Sequence, residues 1–140
     1  LAGLGIDIAK LDLDDGSGLS RDDRVTALAL ANVIRMTKTG DAARFSVMYE
    51  PDAMPISGES GTLDARYGRF VTRHSRCARG DVRGKTGTLF DTIGLTGVTN
   101  GADGQPKAFS ILVNDRPQRF SELSTRQAAD GLAATINGCW

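Results

Sequence analysis

Histidine occurs once in this chain and cysteine twice, at His74, Cys77 and Cys139. That set provides neither a CxxC pair nor four tetrahedral ligands, so no metal site and no other cofactor is expected. The cysteine state stays open, because an exported protein could pair Cys77 with Cys139 whereas a cytosolic one would more often keep them free. No apolar run approaches the roughly 18 residues that a membrane span needs, and a soluble chain is expected. Net charge is absent as well. Seventeen basic and seventeen acidic residues cancel, which removes any whole-chain argument for nucleic acid or an anionic membrane as partner. There is no initiator methionine and no recognisable signal peptide. The chain begins at Leu1, so an upstream targeting segment is neither indicated nor excluded.

What is present has the size and make-up of one globular domain: 140 residues, 40% of them hydrophobic and 24% charged. One stretch is locally uneven. Arg66, Arg69, Arg73, Arg76, Arg79, Arg83 and Lys85 are opposed between Arg66 and Lys85 by Asp81 alone. The first four arginines recur every three or four residues, which reads as a solvated helix face running into a loop. A sharper reading is a positive field that draws a carboxylate toward Lys85.

Local patterns suggest the following elements. Ile8 to Leu13 alternates like a half-buried strand and runs into turn residues at Asp14-Asp15-Gly16-Ser17-Gly18. Thr26 is placed to cap a helix with Leu30, Val33 and Ile34 on one face, and Gly40 stands past its end. Prolines and glycines interrupt Phe45 to Gly61, and Thr62 to Phe70 reads as a short helix. Thr86 to Thr99 and Lys107 to Asn114 read as the arms of a β-hairpin about Asn100 to Gln105. Arg119 to Ile136 returns to helical spacing, with Gly138 near its end, and would cover the hairpin.

Two glycine-rich readings compete around Lys85. Gly80-Asp81-Val82-Arg83-Gly84-Lys85-Thr86 has three residues between its glycines, where a phosphate-binding loop needs four, and a strand rather than a helix follows. Nucleotide binding is therefore a remainder. The other reading is Lys85-Thr86-Gly87-Thr88, a Lys-Thr-Gly element of the kind found in penicillin-binding proteins and β-lactamases. On a regular strand Lys85 and Gly87 share one face and Thr86 and Thr88 the other. A glycine facing a cleft admits a substrate backbone, and the lysine supplies a charge for a carboxylate. The tripeptide alone is weak, since Lys38-Thr39-Gly40 repeats it at a helix end, where it is ordinary capping.

Context separates the two copies. Asp15-Gly16-Ser17-Gly18-Leu19-Ser20, Gly58-Glu59-Ser60-Gly61-Thr62-Leu63 and Val82-Arg83-Gly84-Lys85-Thr86-Gly87-Thr88-Leu89 occur in that order. Together they resemble the class C low-molecular-mass penicillin-binding proteins, the D-alanyl-D-alanine carboxypeptidase and endopeptidase family, over about Leu11 to Asn114. The resemblance implies an α+β fold, with a five-stranded antiparallel sheet flanked by helices. It also implies acyl transfer from a peptidoglycan stem peptide ending in D-Ala-D-Ala, inhibition by β-lactams, and an extracytoplasmic location. A serine in a Ser-x-x-Lys element would attack the penultimate D-alanine carbonyl, and a Ser-x-Asn element would shuttle protons. Lys85 would stabilise charge and orient that serine. Thr86, Gly87 and Thr88 would bind substrate, the two hydroxyls on its carboxylate, with the Thr88 N–H serving the oxyanion hole.

Neither upstream element is here. Three residues before Lys10, Lys38, Lys85 and Lys107 stand Asp7, Arg35, Val82 and Gly104, and two before Asn32, Asn100, Asn114 and Asn137 stand Leu30, Val98, Leu112 and Thr135. The expectation is that residues 1–140 are the C-terminal part of one transpeptidase-like domain. Its N-terminal part, a partner in the same polypeptide, would carry the nucleophile, and the 140 residues alone would be inactive. The alternative is a non-catalytic peptide-binding or scaffold piece. Ser17 and Ser20 have no lysine at the right offset and read as turn residues, and His74 with Cys77 is not taken as a thiol dyad.

Overall fold

The computed structural model describes residues 1–39, 42–50 and 53–139. Gly40, the expected stop of the first helix, lies outside them. Three strands form one antiparallel sheet in the order β1 (Arg83–Thr88), β2 (Ile93–Asn100), β3 (Pro106–Val113). Helix α1 (Ala27–Thr39) packs on one face, and α2 (Glu122–Asn137) packs on the other. The rest is 3-10 turns at Ala2–Leu4, Ala42–Tyr49, Gly61–Leu63, Ala65–Tyr67 and Arg76–Ala78, joined by irregular segments. This is the expected α+β class with helices on both faces, and the sheet has three strands among the described residues.

Period-two alternation on β2 serves both faces. Leu95 enters a core with Leu63, Phe70, Val82, Phe109 and Ala133 beneath α2. Val98 enters the other with Ile34 and Met54 beneath α1. The helix caps are local: the Ala29 N–H donates to Thr26 Oγ1 at 3.0 Å, and the Ser124 N–H to Ser121 Oγ at 3.0 Å. Buried Ala129, Ala133 and Ala134 bring α2 close to the sheet. β1 and β2 approach closely where Gly84 faces Gly97. A Cβ on Gly97 would stand 2.2 Å from the Arg83 carbonyl oxygen, so only glycine fits.

Four expectations need correction. Thr86 to Thr99 is not one strand: the Leu89 N–H donates to the Thr92 carbonyl at 2.9 Å, closing a turn, and the hairpin becomes a three-stranded meander. Asp91 in mid-run is the residue that favours the turn. The Ile8 to Leu13 segment is not a strand but touches Arg24 by a single bridge at Asp12, leaving Ile8 44% and Leu13 53% exposed. Thr62 to Phe70 divides into two 3-10 turns because Asp64 is extended and caps the second by accepting the Arg66 N–H. The arginine stretch is not one helix face, and Arg69 is buried, 2% exposed.

Arg69 is buried because Asp130 of α2 is. Their fork joins Arg69 Nε to both carboxylate oxygens at 3.1 and 3.0 Å and Nη2 to Oδ1 at 2.5 Å. Asp130 Oδ2 also accepts the Phe70 N–H at 2.9 Å, where Phe70 sits at φ 51°. Cys77 and Cys139 form a disulfide across 62 residues, so the open cysteine question closes in favour of the pair. It staples the Arg76–Ala78 turn to the end of α2. At the opposite end of the sheet, Arg21 forks onto Asp91 at 2.8 and 3.3 Å and ties the N-terminal segment to the β1–β2 turn. Those hydrogen bonds hold the Asp91 carboxyl below its ordinary value.

Two predictions follow from these ties. Asp130→Ala leaves a buried guanidinium unpaired and is expected to cost about 3–5 kcal/mol in denaturant unfolding. Adding Arg69→Ala to it should cost less than the sum of the two single changes, because each single change already breaks the pair. In a side-chain NMR titration, Asp91 should protonate at lower pH than an ordinary aspartate, and Arg21→Gln should move its midpoint upward. Since the folded carboxyl is depressed, the tie is present above the ordinary aspartate range and is lost as pH falls through the folded value.

Candidate active site

Strand β1 is a sheet edge, and what lies along its outer side changes midway. At its start that side is occupied. The Ser57 N–H donates to the Val82 carbonyl at 2.9 Å and the Gly84 N–H to the Pro55 carbonyl at 3.0 Å, with Ile56 bridged to Arg83. Buried Ser57 adds its hydroxyl to the Ala78 carbonyl at 2.5 Å and accepts the Val82 N–H at 3.1 Å. Along a strand the amides of alternate residues point to the same edge. Because Gly84 points away from β2, Thr86 and Thr88 do so too. From Thr86 to Thr88 this edge has no partner strand among the described residues.

The side chains follow the pleat. Lys85 pairs in register with Thr96, and Thr96 with Ser110, on the α1 face; the Thr96 and Ser110 hydroxyls are 2.8 Å apart. Gly87 shares that face, and a Cβ built on it meets nothing within 4 Å. Thr86 pairs with Leu95 and shares the α2 face with Thr88. Lys85 is exposed and bends back over the edge, its Nζ donating to the Thr86 carbonyl at 2.7 Å. An ammonium, two outward amides and two hydroxyls thus meet at one short, open edge. That arrangement suits an extended peptide ending in a carboxylate.

Five contacts that the sequence did not reveal support this edge and the turn that follows it. Thr86 Oγ1 donates to Thr62 Oγ1 at 2.9 Å, joining the second block to the third. Arg21, just past the first block, reaches Asp91, just past the third. Arg116 is buried and donates to the Phe90 carbonyl at 2.6 Å and the Phe120 carbonyl at 2.5 Å. Its own N–H meets the Asp91 carbonyl at 2.9 Å. A cavity of about 670 Å³ opens beside the same turn, lined by Ile6, Leu11, Val25, Leu30, Leu89 and Leu112 among others. Lys85 to Thr88 do not line it.

The competing candidates fall into structural places. Ser17 Oγ donates to Asp15 at 2.7 Å and accepts the Leu19 N–H at 3.0 Å, and Ser20 Oγ donates to Asp14 at 3.0 Å, so both shape the turn. The Ser17 hydroxyl holds the Asp15 carboxyl below its ordinary value. Cys77 has no thiol to pair with His74, being in the disulfide. Lys38 lies in the last turn of α1, 3.7 Å above the Tyr49 ring. Gly80 to Thr86 runs into an antiparallel strand, not a helix, which removes the phosphate-loop reading.

Comparison with known proteins agrees along nearly the whole chain. The family model described as D-Ala-D-Ala carboxypeptidase 3 (S13) matches residues 1–136. Carboxypeptidase DacB of Mycolicibacterium smegmatis is 38% identical over 99% of this chain and 28% of its own length. The D-alanyl-D-alanine carboxypeptidase of an Actinomadura species is 37% identical over 81% of this chain and 20% of its own. Penicillin binding protein 4 (dacB) from Haemophilus influenzae, crystallised with a β-lactam, superposes with a TM-score of 0.68 at 25% identity. It covers 98% of this chain and 29% of that one. The chain thus spans between a fifth and a third of these relatives' lengths. With the meander, its two covering helices and the profile match in agreement from Leu1 to Ile136, the chain belongs to the D-Ala-D-Ala carboxypeptidase 3 (S13) family.

Proposed function

We propose that these 140 residues are the C-terminal part of a serine D-alanyl-D-alanine carboxypeptidase or endopeptidase, and that Lys85 to Thr88 form one wall of its active site. The observation that carries this reading is the open edge of β1, where the Lys85 ammonium and the outward Thr86 and Thr88 amides converge. A stem peptide ending in D-Ala-D-Ala lies along that edge. Its terminal carboxylate is held by the Thr88 hydroxyl, by Thr86 through its hydrogen bond to Thr62, and by the field of Lys85, while Gly87 leaves room for its backbone.

The nucleophilic serine comes from the part of the polypeptide that precedes these residues, as does the rest of the sheet. Its oxygen attacks the penultimate D-alanine carbonyl, and the Thr88 N–H stabilises the oxyanion that forms. The carbon–nitrogen bond breaks, the terminal residue leaves as an amine, and water then hydrolyses the acyl ester. A β-lactam occupies the same edge and acylates the same serine. The disulfide fits an oxidising, extracytoplasmic compartment. The second reading, a peptide-binding piece without chemistry, draws on the absence of a Ser-x-x-Lys element within the 140 residues.

A fluorescent penicillin separates the two. The longer polypeptide should label covalently and the isolated 140 residues should not. Lys85→Ala in the longer polypeptide should slow labelling by on the order of 10²–10³, the scale for removing one electrostatic group from an acyl-transfer site. An unlabelled longer polypeptide, or wild-type labelling in Lys85→Ala, would overturn the proposal.

A further inference from the structure

The geometry points to Thr62 as a third hydroxyl of the carboxylate-binding edge, a specificity-determining residue that donates to the substrate's terminal carboxylate. This inference rests on the reading of Lys85 to Thr88 given above. Thr62 arrives at the edge by construction. The segment from Pro55 to Ser57 occupies the outer side of β1 only as far as Gly84, and the Gly61–Leu63 turn then brings Thr62 to the place where the open edge begins. Its neighbour Leu63 is fully buried against the core, and its own carbonyl receives Arg69 Nη1 at 3.4 Å. With the Gly61 carbonyl before it accepting the Asp64 N–H at 3.3 Å, Thr62 is anchored on both sides of its Cα while its side chain stays exposed.

The hydrogen-bond direction adds the chemistry. A threonine hydroxyl has one proton. Thr86 spends its proton on Thr62 Oγ1, and so presents only lone pairs outward. A carboxylate is an acceptor and needs donors. The Thr62 proton goes to no acceptor among the described residues, so Thr62 completes a relay in which Thr86 donates to Thr62 and Thr62 donates to the carboxylate. Each bond in such a chain polarises the next. Thr86 thus acts on the carboxylate through Thr62.

The test uses the longer polypeptide with two probes: a short peptide ending in D-Ala-D-Ala and the same peptide with a C-terminal carboxamide. Thr62→Val keeps shape and removes the hydroxyl. It should raise KM for the free acid about tenfold, the scale for one hydrogen bond to a charged group. It should leave kcat within about twofold and shrink the preference for acid over amide by the same tenfold. Thr62→Ser should restore both values, and Thr62→Ala should behave as the valine variant does. An unchanged acid-to-amide ratio in Thr62→Val and Thr62→Ala, or a serine variant as defective as valine, would overturn the inference. If Lys85→Ala abolishes labelling while Thr62→Val keeps the wild-type ratio, only this inference fails. If Lys85→Ala labels normally, the reading beneath it fails first.

Discussion

The fork between Arg69 and Asp130 is the contact on which the arrangement of the rest depends. It joins two segments 61 residues apart at a point where neither ion reaches water. Removing two charges from water is expensive, and their attraction offsets that cost only when the remaining lone pairs are used. Here they are: Asp130 takes Nε and Nη2 of Arg69 together with the Phe70 N–H. The pair is less a source of net stability than a condition on geometry, because any fold that separates the partners leaves a buried charge unpaired. Satisfying it places α2 against Gly68–Phe70, just past the Gly61–Tyr67 turns, the first of which lies against β1.

Much of the architecture was legible because it is local. Thr26 as a cap, the apolar face of α1, and the β-branched residues of β2 and β3 all express preferences that act within a few residues. The errors fall where a distant contact decides. Arginines at helical spacing read as a solvated face, and only Asp130, 61 residues on, makes Arg69 an interior residue. Ile8 to Leu13 alternates like a strand, but alternation specifies a strand only where another strand is there to pair with it. Thr86 to Thr99 reads as one arm because β-formers dominate it, although Asp91 within it favours the turn that the Leu89–Thr92 hydrogen bond closes.

The candidate edge was legible in the same uneven way. Lys85-Thr86-Gly87-Thr88 could be placed on a strand, with its faces assigned by the pleat, from residue types alone. Nothing in the sequence joins Thr86 to Thr62 or Phe90 to Arg116, because each is a contact between common residues of separate segments. The disulfide was equally invisible: two cysteines 62 residues apart say nothing about distance until the end of α2 is placed beside the Arg76–Ala78 turn.

The order and spacing of the three sequence blocks have a physical reading once β1 is taken as their common object. The second block and the segment just before it lie along the start of β1: Pro55 and Ser57 pair with its backbone, and Thr62 reaches the hydroxyl of Thr86. The first block turns the chain so that Arg21 meets Asp91, immediately past the end of the strand. Arg116 closes the same turn from the side of β3, gripping the Phe90 carbonyl. The start and the far turn of β1 are thereby held by separate segments, while the outer edge of Thr86 to Thr88 between them has no partner strand among the described residues. An edge strand left open invites indiscriminate pairing. An edge that is fixed at both ends and open for three residues limits such pairing to a short extended segment, and under the function proposed above Lys85 at its lip would favour one that carries negative charge.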